Sequence, residues 1–170
     1  MKKVIILGGG FAGINCAKKL AGSKFDITII DKTNHHLFQP LLYQVATAAL
    51  SPSDIAVPIR NIFKNNKNVK VILGNVITID KENKKVILKS NKVFNFDYLV
   101  ICTGAKHSYF GNNEWEKYSN GLKTIDDALD IREKILIAFE KAERENNEKT
   151  RQKHLNFVIV GGDPTGVEMA

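Results

Sequence analysis

An α/β fold built around a parallel sheet is the class this sequence predicts, on three observations. Short apolar, β-branched runs end at glycine or aspartate, a helical pattern separates the first two, and a glycine-ended run recurs late in the chain. The 170 residues leave room for one ordinary domain with a sizeable core, and little more.

Residues 4–7 form a continuous apolar run closed by glycine, the pattern of a strand buried on both faces. Residues 12–20 carry Ile14, Ala17 and Leu20 near helical spacing. Residues 25–30 make a second buried strand ending at Asp31. Together they have the size of a βαβ unit, about thirty residues. Two alternating strands are expected next, over 69–79 and 84–89, with the turn Asp80-Lys81-Glu82-Asn83 between them as a small antiparallel excursion. Residues 96–102 return as a buried strand ending in Thr103-Gly104. Thr124-Ile125-Asp126-Asp127 reads as a capping box. The helix behind it places Ala128, Ile131, Ile135, Phe139 and Ala142 on one face. The charged stretch 143–153 is expected to be a solvated helix end and linker. Residues 155–160 then read as a new strand, again closed by glycine.

Composition narrows the function classes. The net charge is +7, but all basic residues except Arg60, Arg132, Arg144 and Arg151 are lysines, scattered among 16 asparagines. No basic stripe carries interleaved aromatics, so a nucleic-acid partner is not expected. Cys16 and Cys102 are too few for a disulfide framework and each sits in an apolar element. His35 and His36 are adjacent, point in different directions and make a poor metal pair, so no metal site is expected. The opening apolar run is too short for a signal peptide, and no stretch reaches the roughly 18 apolar residues of a membrane span. A cytoplasmic, non-spanning chain is the expectation.

Gly8-Gly9-Gly10-Phe11-Ala12-Gly13 matches G-x-G-x-x-G. The match gains weight because it follows a buried strand, opens a helix and precedes an acid at the end of the next strand. Gly8 permits the tight turn, Gly10 leaves room for a pyrophosphate against the backbone, and Gly13 lets helix and sheet approach. The helix start, with Phe11 and Ala12, offers N–H groups and the positive dipole end to phosphates. Asp31, with Lys32 beside it, is placed to take the ribose hydroxyls, and a carboxylate there disfavours a 2′-phosphate. FAD or NAD therefore suits this Rossmann-like unit better than NADP.

The string His35-His36-Leu37-Phe38-Gln39-Pro40-Leu41-Leu42-Tyr43-Gln44-Val45-Ala46-Thr47 resembles the signature that follows the second strand in bacterial type II NADH dehydrogenases. Ser51-Pro52-Ser53-Asp54-Ile55-Ala56, Pro58-Ile59-Arg60 and Phe96-Asp97-Tyr98-Leu99-Val100-Ile101-Cys102-Thr103-Gly104-Ala105 continue the likeness, with Cys102 in place of the usual alanine. By periodicity alone, residues 38–50 are an apolar loop and helix that read as core. The resemblance implies instead that Thr47 and Gln44 lie near the flavin ring system. It implies that the Val76 backbone meets the adenine, and that Thr103 and Gly104 pass close to the dinucleotide. The C-x-x-x-x-C pair of related disulfide reductases is missing, and no cysteine follows Cys102 as in sulfide:quinone oxidoreductases. A thiol mechanism is disfavoured.

Asn156-Phe157-Val158-Ile159-Val160-Gly161-Gly162-Asp163-Pro164-Thr165-Gly166-Val167-Glu168 resembles the family's NADH fingerprint, with Gly161 and Gly166 in place and Asp163 where the middle glycine belongs. A side chain there obstructs pyrophosphate and adds like-charge repulsion. Glu168 matches a glutamate implicated in hydride or proton handling near the flavin and quinone. The resemblance thus implies a Rossmann-like FAD-binding domain over 1–125, a connecting helix and linker over 126–153, and the first strand and helix start of a second Rossmann-like NADH domain over 154–170. It implies an N-terminal portion of an FAD-dependent NADH:quinone oxidoreductase of the respiratory chain. Such an enzyme takes NADH and a quinone, associates peripherally with the inner face of the cell membrane through a later part, and leaves a homodimer open. The alternatives are an inactive FAD- or ADP-binding remnant, or a related flavin reductase with a soluble acceptor.

Overall fold

Val4, Ile5, Ile6 and Leu7 are all buried, as a strand covered on both faces requires. They belong to a computed structural model that describes residues 1–170. The elements in chain order are β1 (Lys2–Leu7), α1 (Phe11–Leu20), β2 (Phe25–Asp31), β3 (His35–Leu37), α2 (Leu42–Ala46), α3 (Pro52–Ile55), β4 (Ala56–Pro58) and α4 (Ile59–Ile62). They continue with β5 (Val69–Leu73), β6 (Val76–Asp80), β7 (Lys85–Leu88), β8 (Val93–Asn95), β9 (Tyr98–Ile101), α5 (Ile125–Glu143), α6 (Glu148–His154) and α7 (Pro164–Met169). Two compact units emerge: Met1–Leu37 with Ala56–Ala105, and Phe38–Ile55 with Lys106–Ala170.

The first unit is organised by a parallel sheet in the order β5-β2-β1-β9. Val4 sits opposite Ile27 on one side and Tyr98 on the other, while Ile27 pairs onward with Val69. Successive side chains of a strand face opposite ways, so β1 feeds two cores. Val4 and Ile6 join Ile27, Ile29, Ile14, Ala17, Ile59 and Phe63 on the helical side. Ile5 and Leu7 join Ile30, Val86 and Leu88 on the other side, against the antiparallel sheet β6-β7-β8. Helices, parallel sheet and a small antiparallel sheet make the layered α/β architecture that the strand–helix–strand pattern predicts.

Within this unit the strand assignments need correction. Residues 69–79 are not one strand: the first half pairs with β2 in the parallel sheet and the second half turns into β6. The break falls at Gly74, whose N–H donates to the Asp31 carbonyl at 2.8 Å, and where a Cβ would press on Leu88. The excursion also has a third strand, β8, too short to announce itself by alternation. The strand expected over 96–102 shortens to β9, an edge rather than a buried strand. It has one neighbour, and Ile101 is 62% exposed.

In the second unit α5 lies against α2. Its capping box forms as expected: the Thr124 hydroxyl accepts from the Asp127 N–H, and the Asp127 carboxylate accepts from the Thr124 N–H. Ala128 and Ala142 are buried and Ile131 and Ile135 half-buried, but Phe139 is exposed, its ring meeting Phe157 at 5.9 Å between centroids. The charged stretch is not merely linker. It contains α6, started by the Asn147 side chain, which accepts from the Thr150 N–H at 3.2 Å. Residues 155–160 do not form a strand. Strands are held by ladders to neighbours, none pairs with this segment, and Val158 and Val160 are almost fully exposed. The expected helix start is present as α7.

Candidate functional site

The first glycine turn joins β1 to α1. Gly8 has φ +104°, a left-handed conformation that costs glycine nothing, and a Cβ there would strike the Cys102 carbonyl. The Cys102 N–H in turn donates to the Leu7 carbonyl at 2.8 Å, so the Cys102–Thr103 backbone runs directly beside the turn. Gly13 is buried with the Gly8 carbonyl where its Cβ would be, which is the close helix–strand approach the spacing requires. Gly10 is different. It is exposed, has φ −76°, and nothing lies within 4 Å of a Cβ built on it. It is the N-cap of α1, and no side chain caps that helix. A helix start without a side-chain cap keeps the positive dipole end and N–H groups that suit an anion.

Asp31 closes the turn from the end of β2. Its Oδ2 accepts from the Gly9 N–H. Its Oδ1 accepts from the Thr33 N–H at 2.6 Å and the Thr33 hydroxyl at 2.7 Å. A carboxylate has about four acceptor positions, so Oδ2 keeps capacity for one more donor, such as a ribose hydroxyl. Lys32 next to it is exposed. Gly74 joins the same corner through the Asp31 carbonyl, and Val76 starts β6 two residues on. Thr103 and Gly104 follow β9 and are exposed. Gly8, Gly13, Asp31 and Thr103 are therefore gathered at the C-terminal ends of parallel strands, where open α/β sheets bind ligands.

Cys102 lies beside this turn, half-buried. Burial pushes its thiol above the ordinary range, with a small further push from Cys16, and a raised thiol stays protonated at neutral pH. No group of histidine, cysteine and carboxylate side chains is arranged to hold a metal ion.

In the second unit, Gln44 lies in α2 with its amide donating to the Tyr43 hydroxyl at 3.0 Å, and Thr47 caps that helix, its hydroxyl donating to the Tyr43 carbonyl at 3.0 Å. The second glycine turn leads into α7. Gly161 repeats the left-handed conformation at φ +112°, and Gly166 repeats the contact of Gly13, with the Gly161 carbonyl where a Cβ would be. Asp163, the counterpart of Gly10, has φ −71° and the same extended ψ. Its carboxylate accepts from the Gly166 N–H at 3.0 Å. One of the N–H groups at the start of α7 is thus satisfied by the chain's own carboxylate. Glu168 is exposed on α7.

Two contributors escape the motif. Gly9 occupies a free position of the fingerprint, yet it is buried between Asp31 and Ile59, where a Cβ would meet the Ile59 side chain. Thr33, two residues after the acid, is legible only as the hydroxyl of a local turn.

The chain is similar to known proteins along almost its whole length. A family model described as pyridine nucleotide-disulphide oxidoreductase matches residues 2–170. Type II NADH:quinone oxidoreductase Ndh of Mycobacterium tuberculosis is 48% identical over 99% of the chain, and NdhA of the same organism is 49% identical over 99%. The chain spans 37% and 36% of those relatives. The structure of NDH2 from Plasmodium falciparum in complex with NADH superposes with a TM-score of 0.86 at 35% identity, covering 99% of this chain and 36% of that one.

Proposed function

The chain belongs to the pyridine nucleotide-disulphide oxidoreductase family, and from that membership we propose that it is the FAD-binding front portion of a type II NADH:quinone oxidoreductase. The observation that carries the reading is the first turn: an α1 start with no side-chain cap, open space at Gly10, and Asp31 folded back on Gly9. Gly8, Gly10, Phe11, Ala12 and Gly13 would hold the diphosphate, Asp31 and Lys32 the ribose, and Val76 the adenine, with Thr103 and Gly104 alongside. Gln44 and Thr47 would serve the ring system. When bound, FAD supplies the chemistry of accepting hydride from NADH and passing two electrons to a quinone, while the protein orients it and sets its surroundings.

Gly161 and Gly166 would belong to an NADH-binding domain beginning near residue 154, after an FAD domain over 1–125 and a connecting segment over 126–153. Glu168 would handle a proton or hydride in the whole enzyme. That enzyme would sit at the inner face of the cell membrane. No helix of this chain is long and apolar enough to cross a membrane; a peripheral contact is what the family resemblance implies for that enzyme.

A second reading, a protein that holds FAD or ADP but does not react with NADH, is favoured by one observation. The second turn does not fit a dinucleotide phosphate while Asp163 caps α7. The visible spectrum separates the two. Purified protein should carry the absorption of bound flavin, and NADH should bleach it if the enzyme reading is right. Absence of flavin would defeat the first reading and leave only the ADP-binding form of the second, and flavin that NADH leaves oxidised would favour the second. In a longer protein that carries the whole NADH domain, Asp163→Gly should strengthen the response to NADH; identical NADH titrations of variant and parent would refute the obstruction argument.

A further inference from the structure

The first glycine turn is shaped by a residue outside the glycine string. Gly9 is pinned at both ends: its N–H donates to the Asp31 carboxylate, and its carbonyl lies 3.0 Å from Nδ1 of His36. A carbonyl only accepts, so this is a hydrogen bond when Nδ1 carries the proton. The imidazole is held in place from two sides. The Phe11 ring meets it edge-to-face, with centroids 5.1 Å apart and planes at 85°, and its backbone is paired with Val57 in the β3–β4 ladder.

The consequence follows from peptide geometry. In a planar trans peptide the carbonyl and the N–H point in opposite directions. With the Gly9 carbonyl drawn toward His36, the N–H of Gly10 is turned away from it. Gly10 is the residue with open space around it at the start of α1. Three consecutive glycines would otherwise make this the loosest stretch of the turn, because glycine loses most freedom on ordering. Fixing one peptide in advance removes that ordering cost from ligand binding.

We propose that His36, as its Nδ1–H tautomer, is a positioning residue for the dinucleotide diphosphate: it locks the Gly9–Gly10 peptide so that the Gly10 N–H is presented to the phosphates. The inference rests on the reading that this turn binds FAD, and the test keeps the two apart.

FAD affinity of the full chain is measured for wild type, His36→Phe and His36→Asn. Phenylalanine keeps the ring packing on Phe11 but has no donor; asparagine loses the ring but offers an amide donor near the place of Nδ1. His36→Phe should bind FAD about five- to tenfold more weakly, the worth of one hydrogen bond. His36→Asn should recover most of the loss. The reverse order, or equal affinity for all three, overturns the proposal and leaves His36 a packing residue. A wild type that binds no FAD overturns the functional reading itself, and this inference with it. The nitrogen NMR spectrum of the wild-type imidazole stands apart from any variant's folding. The proton should be on Nδ1, and a ring protonated on Nε2 alone would refute the proposal.

Discussion

A methyl group added at Gly8 meets the Cys102 carbonyl and must adopt φ +104°, whereas one added at Gly10 meets nothing at φ −76°. Gly8→Ala should therefore cost roughly 1–3 kcal/mol of stability, the range for overpacking and strained backbone. Gly10→Ala should leave stability nearly unchanged and weaken FAD instead. Urea denaturation and flavin titration of both variants check this, and a Gly10→Ala as unstable as Gly8→Ala would contradict it. The sequence makes these glycines look alike; only their neighbours separate a glycine required by the bend from one that leaves room. Asp31 was legible because an acid at the end of the second strand has a fixed place in the fingerprint. The roles of Gly9 and His36 were not, because each depends on a contact across 22 or more residues. No local pattern encodes such a contact.

At the scale of single elements, α5 is the clearest case of legible structure. A capping box is a four-residue signal, and Thr124 and Asp127 exchange the bonds it implies. Burial pushes the Asp127 carboxyl upward, but hydrogen bonds donated by the Lys123 and Thr124 N–H groups and by the Thr124 side chain, with His107 nearby, outweigh it and hold the group below its ordinary value. A depressed carboxylate stabilises the fold above its unfolded pKa, about 3.9, and that contribution is lost as pH falls from there through the folded value. Asp127→Ala should cost about 1 kcal/mol near neutral pH. The difference from wild type should shrink below about pH 4; thermal melts across pH 3–7 measure it, and a constant difference would contradict the assignment. The run at 155–160 shows the opposite limit. Its apolar, glycine-closed pattern is that of a strand, but strand pairing is a property of two segments, and no partner engages this one. The split at Gly74 has the same origin, since the two halves pair with different neighbours.

Across the molecule, stability is unevenly placed. Most fully buried apolar side chains belong to the first unit, concentrated in β1 and β2, while the second contributes Leu42, Val45, Ala46, Ile55, Ala128 and Ala142. Amide exchange should be slowest in β1 and β2 and close to the unprotected rate over 157–161. A strongly protected Val158 amide would mean that this segment pairs with something. The layered sheet was legible because buried parallel strands write themselves as unbroken apolar runs; the composition of the second unit was not, because 38–55 and 106–170 are far apart in sequence. The two glycine turns, finally, make one molecule its own control. Gly8 and Gly161 bend alike, Gly13 and Gly166 press on equivalent carbonyls, and Gly10 and Asp163 share a backbone conformation although their side chains differ. The outer glycines thus spell a shape and the middle one spells a tenant. A pattern search that weights all three equally conflates two questions: whether a chain can make the bend, and whether the bend can be lived in.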